Sequence, residues 1–288
     1  MKDISIVDTH VHFWNPNQIK YDWLESADAL NRPFLLSDYR KATQGIGINK
    51  MVFVECNCQP DLNEAEVKWV EELAAKDKRI EAIVAYVDLT DTLHIDSNLE
   101  KITAHKLVRG IRHNIQLNKP GFATQPSFIE GVKKVLALNK HFELCITHDQ
   151  MDECIELVKS LPAMPMMLNH CGKPGIKDGE INQWQKNIRL LSEFEHIQCK
   201  ISGLLTEADL NNWTSEDITP YMDHVCEYFG SKRVVYGGDW PVCTLAGNYK
   251  SWYTLVTDWT KSWSEVEKLD FYYNNAIQFY RLTAGNSM

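Results

Sequence analysis

Eight short apolar runs, several rich in β-branched residues, recur along this chain at intervals of roughly 20 to 45 residues, the length of a strand, a loop, a helix and a second loop. They are Ser5–Asp8, Lys50–Cys56, Ile80–Val87, Val108–Arg112, Glu143–Thr147, Pro165–Asn169, Ile197–Ile201 and Arg233–Tyr236. Several, such as Met51-Val52-Phe53-Val54, are apolar without alternation. A strand reads this way when both faces are buried, and parallel sheets bury both faces. Between the runs lie segments with apolar residues at helical spacing. Leu62–Lys76 carries Ala65, Trp69, Val70 and Leu73 in this way, and Phe128–Leu138, Met151–Ser160, Ile181–Phe194, Ile218–Phe229 and Ser264–Tyr280 read similarly. Eight strands alternating with helices predict an α/β fold, the (β/α)₈ TIM barrel. An open doubly wound sheet is the alternative. It usually has fewer strands and often a glycine-rich phosphate loop, and neither GxGxxG nor a Walker pattern occurs here.

The chain has 288 residues, which suits one barrel of about 250 residues with some extra loop. No linker or repeat divides it, so a single domain over residues 1–288 is expected. Trp14–Leu36, with Asn-Pro, Arg-Pro and several aromatics, reads as a long loop after the first strand, at the catalytic end of a barrel. A net charge of −9 without a Lys/Arg cluster argues against nucleic acid as a partner. The first residues lack the apolar core of a signal peptide, and no run of 18 apolar residues suggests a membrane span. The eight cysteines are scattered without a CxxC pair, which suits reduced thiols and a cytoplasmic setting. Monomer and homodimer are equally compatible with these features.

Four motifs can carry chemistry. Asp8-Thr9-His10-Val11-His12 ends the first strand. Alternation along a strand turns His10 and His12 to the same side, inward at a barrel mouth, where two imidazoles can hold a divalent ion or grip a substrate oxygen. Ten histidines in 288 residues produce roughly 0.3 HxH pairs by chance, so position rather than the pair itself gives the signal. Asn169-His170-Cys171-Gly172-Lys173-Pro174 ends the sixth strand and puts His170 where an apolar run gives way to a loop. Tyr236-Gly237-Gly238-Asp239-Trp240-Pro241 ends the eighth. There, two glycines permit close backbone approach and Asp239 is a candidate general base or metal ligand. In Val108-Arg109-Gly110-Ile111-Arg112-His113-Asn114 only one arginine can face inward, and Arg112, nearer the strand end, is the better placed to bind an oxygen. Candidate substrate contacts are Trp14, His113, His148, Glu207 and Trp240. For the two tryptophans and Glu207, ordinary packing is the plainer reading.

HxH after strand one, His after strand six and Asp after strand eight resemble the amidohydrolase superfamily. The flanking words resemble its amidohydrolase-2 branch of sugar lactonases, the L-fuconolactonase and L-rhamnono-lactonase-like proteins. Those words are THVHFWN (Thr9–Asn15), YDWL (Tyr21–Leu24), NRPFLLSDYR (Asn31–Arg40), VRGIRHNIQ (Val108–Gln116), NHCGKP (Asn169–Pro174), ISGLLTEAD (Ile201–Asp209) and a block from Pro220 to Val242. The resemblance implies a barrel enzyme that opens a sugar lactone, with Asp239 as general base and His170 and Arg112 at the carbonyl. Two departures stand out: Gly238 where the family often has Ser, and Asn169 where it often has Asp. An arginine in place of the fourth-strand lysine argues against a binuclear centre. One zinc-like ion on His10, His12 and Asp239 and a metal-free polar cradle both fit. A decarboxylase of the same superfamily and a catalytically silent binding barrel are the competing functions. The presence of all four polar positions argues against the silent barrel.

Overall fold

The predicted runs become eight parallel strands, hydrogen-bonded to one another in chain order in the computed structural model, which describes residues 5–116, 118–179 and 181–284. They are β1 (Ile6–Val11), β2 (Ile48–Val54), β3 (Ile80–Ala85), β4 (Val108–Ile111), β5 (His141–Leu144), β6 (Met166–Leu168), β7 (Ile197–Ile201) and β8 (Val234–Tyr236). A parallel bridge between Val11 and Trp240 joins the last strand end to the first, and Thr9 Oγ donates to the Tyr236 carbonyl at 2.6 Å. The architecture is thus the expected (β/α)₈ barrel. β5 differs from expectation by starting at His141 rather than Glu143. Lys140-His141 looks like a loop in sequence, but the His141 ring lies directly over Gly110 of β4, where any Cβ would collide with it.

Each strand is followed by one helix of the outer ring. These are α1 (Leu36–Ala42), α2 (Asn63–Lys76), α3 (Ile95–Thr103), α4 (Pro126–Ala137), α5 (Met151–Lys159), α6 (Asn182–Ser192), α7 (Ser215–Phe229) and α8 (Tyr249–Trp259). Three of them, α1, α3 and α8, are additions to the sequence reading. α3 and α8 do carry a buried helical stripe, Ile95, Leu99 and Ile102 in one and Tyr249, Trp252, Leu255 and Val256 in the other. The Asn248 side chain caps α8 by accepting from Ser251 N at 2.9 Å. α7 begins three residues before the first apolar position of its stripe, because Thr214 and Asp217 form a capping box.

Most of the apolar core lies between strands and helices. A second cluster fills the barrel itself, with Val7, Val52, Val54, Ala82, Val84, Met167 and Val235 packed against Ala276, Phe279, Tyr280 and Leu282. Those last residues lie in or just after a C-terminal extension made of α9 (Glu265–Leu269), a π-helical turn over Asp270–Asn274 and α10 (Asn275–Tyr280). The extension was expected as one helix, and the π turn interrupts it. α10 closes the end of the barrel where the strands begin, with His141 packed on Phe279 and Tyr280. The other end stays open, and there the Trp14–Leu36 segment folds over the mouth. No helix among the described residues is long and apolar enough to cross a membrane. All eight cysteines are free thiols, seven of them buried.

Candidate active site

The register of β1 against β2 shifts between Asp8 and Val11. Beyond that shift, His10 and His12 turn to the same side, with their Nε2 atoms 3.1 Å apart. His12 Nδ1 sits 2.8 Å from the Val54 carbonyl at the end of β2, and His10 Nδ1 sits 3.1 Å from Lys200 Nζ on β7. Asp8, fully buried, faces away from them. It accepts from Tyr39 Oη at 2.8 Å, Tyr249 Oη at 2.7 Å, Gly238 N at 2.7 Å and His10 N at 3.2 Å. A Cβ at Gly238 would come within 2.3 Å of the Tyr249 ring and 2.6 Å of the Asp8 carboxylate. That approach is the reason for glycine before Asp239.

Asp239 and His170 both hold left-handed backbone conformations, with φ of 51° and 52°. For residues with a Cβ this costs of order 1 kcal/mol or more, and it persists where surrounding contacts over-determine it. Asp239 N donates to the His10 carbonyl at 2.8 Å, and His170 Nδ1 lies 2.8 Å from Ser202 Oγ. As a result, the Asp239 Oδ1 atom stands 3.8, 3.7 and 4.0 Å from the Nε2 atoms of His10, His12 and His170. Burial, and then the charge of Lys200, holds His10 well below the usual imidazole range. Burial likewise pushes His170 down to about 3, so both rings are neutral at neutral pH. Burial pushes the Asp239 carboxyl upward, but the imidazoles of His170 and His12 and the Lys173 ammonium outweigh it. The group ends below the ordinary aspartate value and stays ionised.

His12, His170 and Asp239 form the floor of a cavity of about 290 Å³ at the barrel mouth, and His10 lies fully buried behind them. Trp14, Trp23, Ala27, Leu30, Val242 and Leu245 make an apolar wall. Arg112 reaches it from β4. Its Nε donates to Glu55 Oε1 at 2.6 Å and its Nη2 to the Glu55 carbonyl at 2.8 Å, while Nη1 has only Cys145 Sγ at 3.9 Å. Lys173, also in the lining, pairs with Glu207 at 3.2 Å. Behind this wall Glu66 is buried beside Glu55, and burial followed by that neighbouring charge pushes its carboxyl to about 8. The unfolded chain therefore loses this proton near 4.5 and the folded chain near 8, so stability falls as pH rises through that window. A Glu66→Gln variant is expected to show a Tm close to the parent's at about pH 5 and several degrees above it at about pH 8, measured by calorimetry.

His10, His12, His170, Asp239 and Arg112 thus meet as the sequence suggests, and Trp14 lines the cavity. Other candidates lie elsewhere. Trp240 is packed among Phe13, Phe34 and Tyr39 with ring centroids 5.3 to 5.8 Å away, and outside the cavity it is a core residue. His113 sits among Tyr86, Phe122 and Phe128 and accepts from Leu89 N at 3.1 Å, in the helix layer. His148 holds the Lys173 carbonyl at 3.1 Å, and Glu207 acts through Lys173. Alternation past β4 turns His113 to the side opposite Arg112. Conversely, Glu55, Asn114, Lys173 and Lys200 were not singled out. Glu55 and Lys200 were legible as charges inside mostly apolar runs, where a charge needs a buried partner. Lys173 and Asn114 carry no such mark.

The residues fit a single divalent ion. His10, His170 and Asp239 each offer one ligand atom within 4.8 Å of the others, and His12 Nε2 adjoins them. Imidazole and carboxylate are zinc ligands, and the outer nitrogens of His12 and His170 have oxygen partners, as ligating histidines usually do.

The amidohydrolase family model, in its Amidohydro_2 form, matches residues 7–282. The chain belongs to the amidohydrolase family. As such it is similar to an L-fucono-1,5-lactonase of Burkholderia multivorans, 27% identical over 289 residues that cover 96% of each chain. It is also similar to an L-rhamnono-gamma-lactonase of Scheffersomyces stipitis, 20% identical, covering 98% of this amidohydrolase and 100% of that protein. A crystal structure of an amidohydrolase from Burkholderia multivorans with bound zinc superposes with a TM-score of 0.86 at 26% identity, covering 97% of this chain and 100% of that one.

Proposed function

We propose that this amidohydrolase opens the ring of a sugar lactone to the free acid. The observation that carries this reading is the ionised Asp239 carboxylate on the cavity floor, bracketed by three imidazoles with an arginine above it. A buried carboxylate in that position can take a proton from water as the water attacks a carbonyl carbon. His170 and Arg112 Nη1 polarise the carbonyl oxygen and stabilise the charge that develops on it. When the tetrahedral intermediate collapses, the C–O bond to the ring oxygen breaks. The leaving alkoxide then takes the proton back from Asp239. His10, His12, His170 and Asp239 would hold a divalent ion, which when bound supplies Lewis-acid polarisation of the carbonyl.

The names of the relatives support a lactone, and the apolar wall of Trp14, Trp23, Ala27, Leu30, Val242 and Leu245 suits the methyl group of a 6-deoxy sugar. An L-fucono- or L-rhamnono-lactone is the substrate we favour. The free thiols suit a reducing compartment, and we place the enzyme in the cytoplasm as a monomer or homodimer. A screen of D- and L-aldonolactones with a pH indicator, with and without a chelator, tests the assignment. Proton release on an L-deoxy-lactone is expected. Release of CO₂ from an aromatic acid, with no turnover of any lactone, would replace the reading by that of a decarboxylase.

A further inference from the structure

Inside the barrel, directly beneath the site, lies a buried ion pair that the hydrolytic scheme does not use. Lys200 Nζ is 2.9 Å from Glu143 Oε2, and neither side chain is exposed to solvent. Tyr280 Oη donates to Glu143 Oε1 at 2.8 Å, and His141 Nε2 lies 3.5 Å from the same oxygen. A chain of polar contacts therefore runs from α10 up the barrel axis to Lys200 and on to His10 Nδ1, 3.1 Å from the ammonium.

The direction of these bonds fixes the histidine protons. An ammonium group only donates, so His10 Nδ1 accepts and the proton of the neutral ring is on Nε2. The same assignment follows from the opposite end. The Val54 carbonyl only accepts, so His12 Nδ1 donates to it and His12 Nε2 keeps a lone pair. The 3.1 Å contact between the two Nε2 atoms then has His10 as donor. Two independent partners, 146 residues apart in sequence (Lys200 and Val54), demand one tautomer. A ligating histidine needs the reverse, a lone pair on Nε2 and a proton given away at Nδ1.

We propose that Lys200, pinned by Glu143, is a positioning residue that locks His10 with its proton on Nε2, turned toward His12, so that His10 orients the His12 ring in the metal-free site and must give up that proton before it can ligate a metal ion. The expected loss of turnover rests on the function proposed above; the tautomer does not. The test is ¹⁵N NMR of histidine-labelled, chelator-treated full-length protein at neutral pH, with His10 assigned by comparison with His10→Gln. The expected spectrum has a pyrrole-type His10 Nε2 and a pyridine-type Nδ1. In Lys200→Met that pattern should shift toward the other tautomer, zinc affinity measured by calorimetry should rise, and kcat should fall about 10- to 100-fold with a smaller change in KM. A wild-type His10 protonated on Nδ1 would overturn the proposal. So would Lys200→Met with unchanged His10 resonances and zinc affinity. If Lys200→Met does not fold, the wild-type spectrum still decides the tautomer, and Glu143→Gln, which keeps the lysine but removes its counter-charge, takes over the comparison.

Discussion

Asp239→Asn is expected to fold like the parent and to lose about 10³-fold in kcat, with KM for the lactone little changed. Asparagine keeps the shape of the side chain, and its oxygen can still face the imidazoles. The backbone tie from Asp239 N to the His10 carbonyl is untouched. What disappears is the ability to accept a proton from water. The left-handed conformation at this position is one that asparagine tolerates, so stability should hold. Because burial is outweighed and the Asp239 carboxyl lies below the usual aspartate value, the parent enzyme should keep kcat/KM level from about pH 5 to pH 8. A steady-state pH profile of both proteins checks the assignment. Retention of more than a tenth of parental kcat in the variant would remove Asp239 from the role of base.

Arg112→Met should produce the largest loss of stability among the residues lining the cavity. The guanidinium is the counter-charge of Glu55, which is fully buried and otherwise meets only Asn114 Nδ2 at 3.2 Å and a backbone N–H. Removing one partner of such a pair leaves an uncompensated charge and costs about 3–5 kcal/mol, a fall in Tm of roughly 10 °C. The double variant Glu55→Gln/Arg112→Met should recover most of that fall, since glutamine keeps an acceptor for Asn114 without the charge. Activity should not return with it, because Nη1 is the part of the arginine without a strong protein partner. The expected loss in kcat/KM is about 10²-fold. Recovery of both stability and turnover in the double variant would assign Arg112 to structure alone.

The barrel was legible because its signal is repeated eight times and each repeat is tied to burial. Runs such as Met51–Val54 have no polar face to show because both of their faces are covered. His10, His12, His170 and Asp239 were legible because strand ends and glycines mark the mouth. What stayed hidden depends on contacts between distant strands. Lys200 and Glu143 lie on β7 and β5, and nothing local to either indicates that they meet inside the barrel. His113 and Trp240 looked like site residues from their neighbours in sequence, but each side chain turns into packing beside the mouth. α3 and α8 carried the helical spacing. The polar residues of α3 and the aromatic residues of α8 obscured it.

The joint between β1 and β8 has a kinetic consequence. Asp8 and Gly238, which bond directly, are 230 residues apart in sequence. Contacts of such long range are the slowest to form when a chain orders itself, since the entropy of closing the loop must be lost first. The proton acceptor and two of its three imidazoles sit on opposite sides of that joint. A partly folded chain with seven strands in place would have a hydrophobic core and most of its helices, yet no working constellation. Return of turnover during refolding therefore reports the docking of the final strand on the first, an event that circular dichroism, dominated by helices already present, would record only faintly.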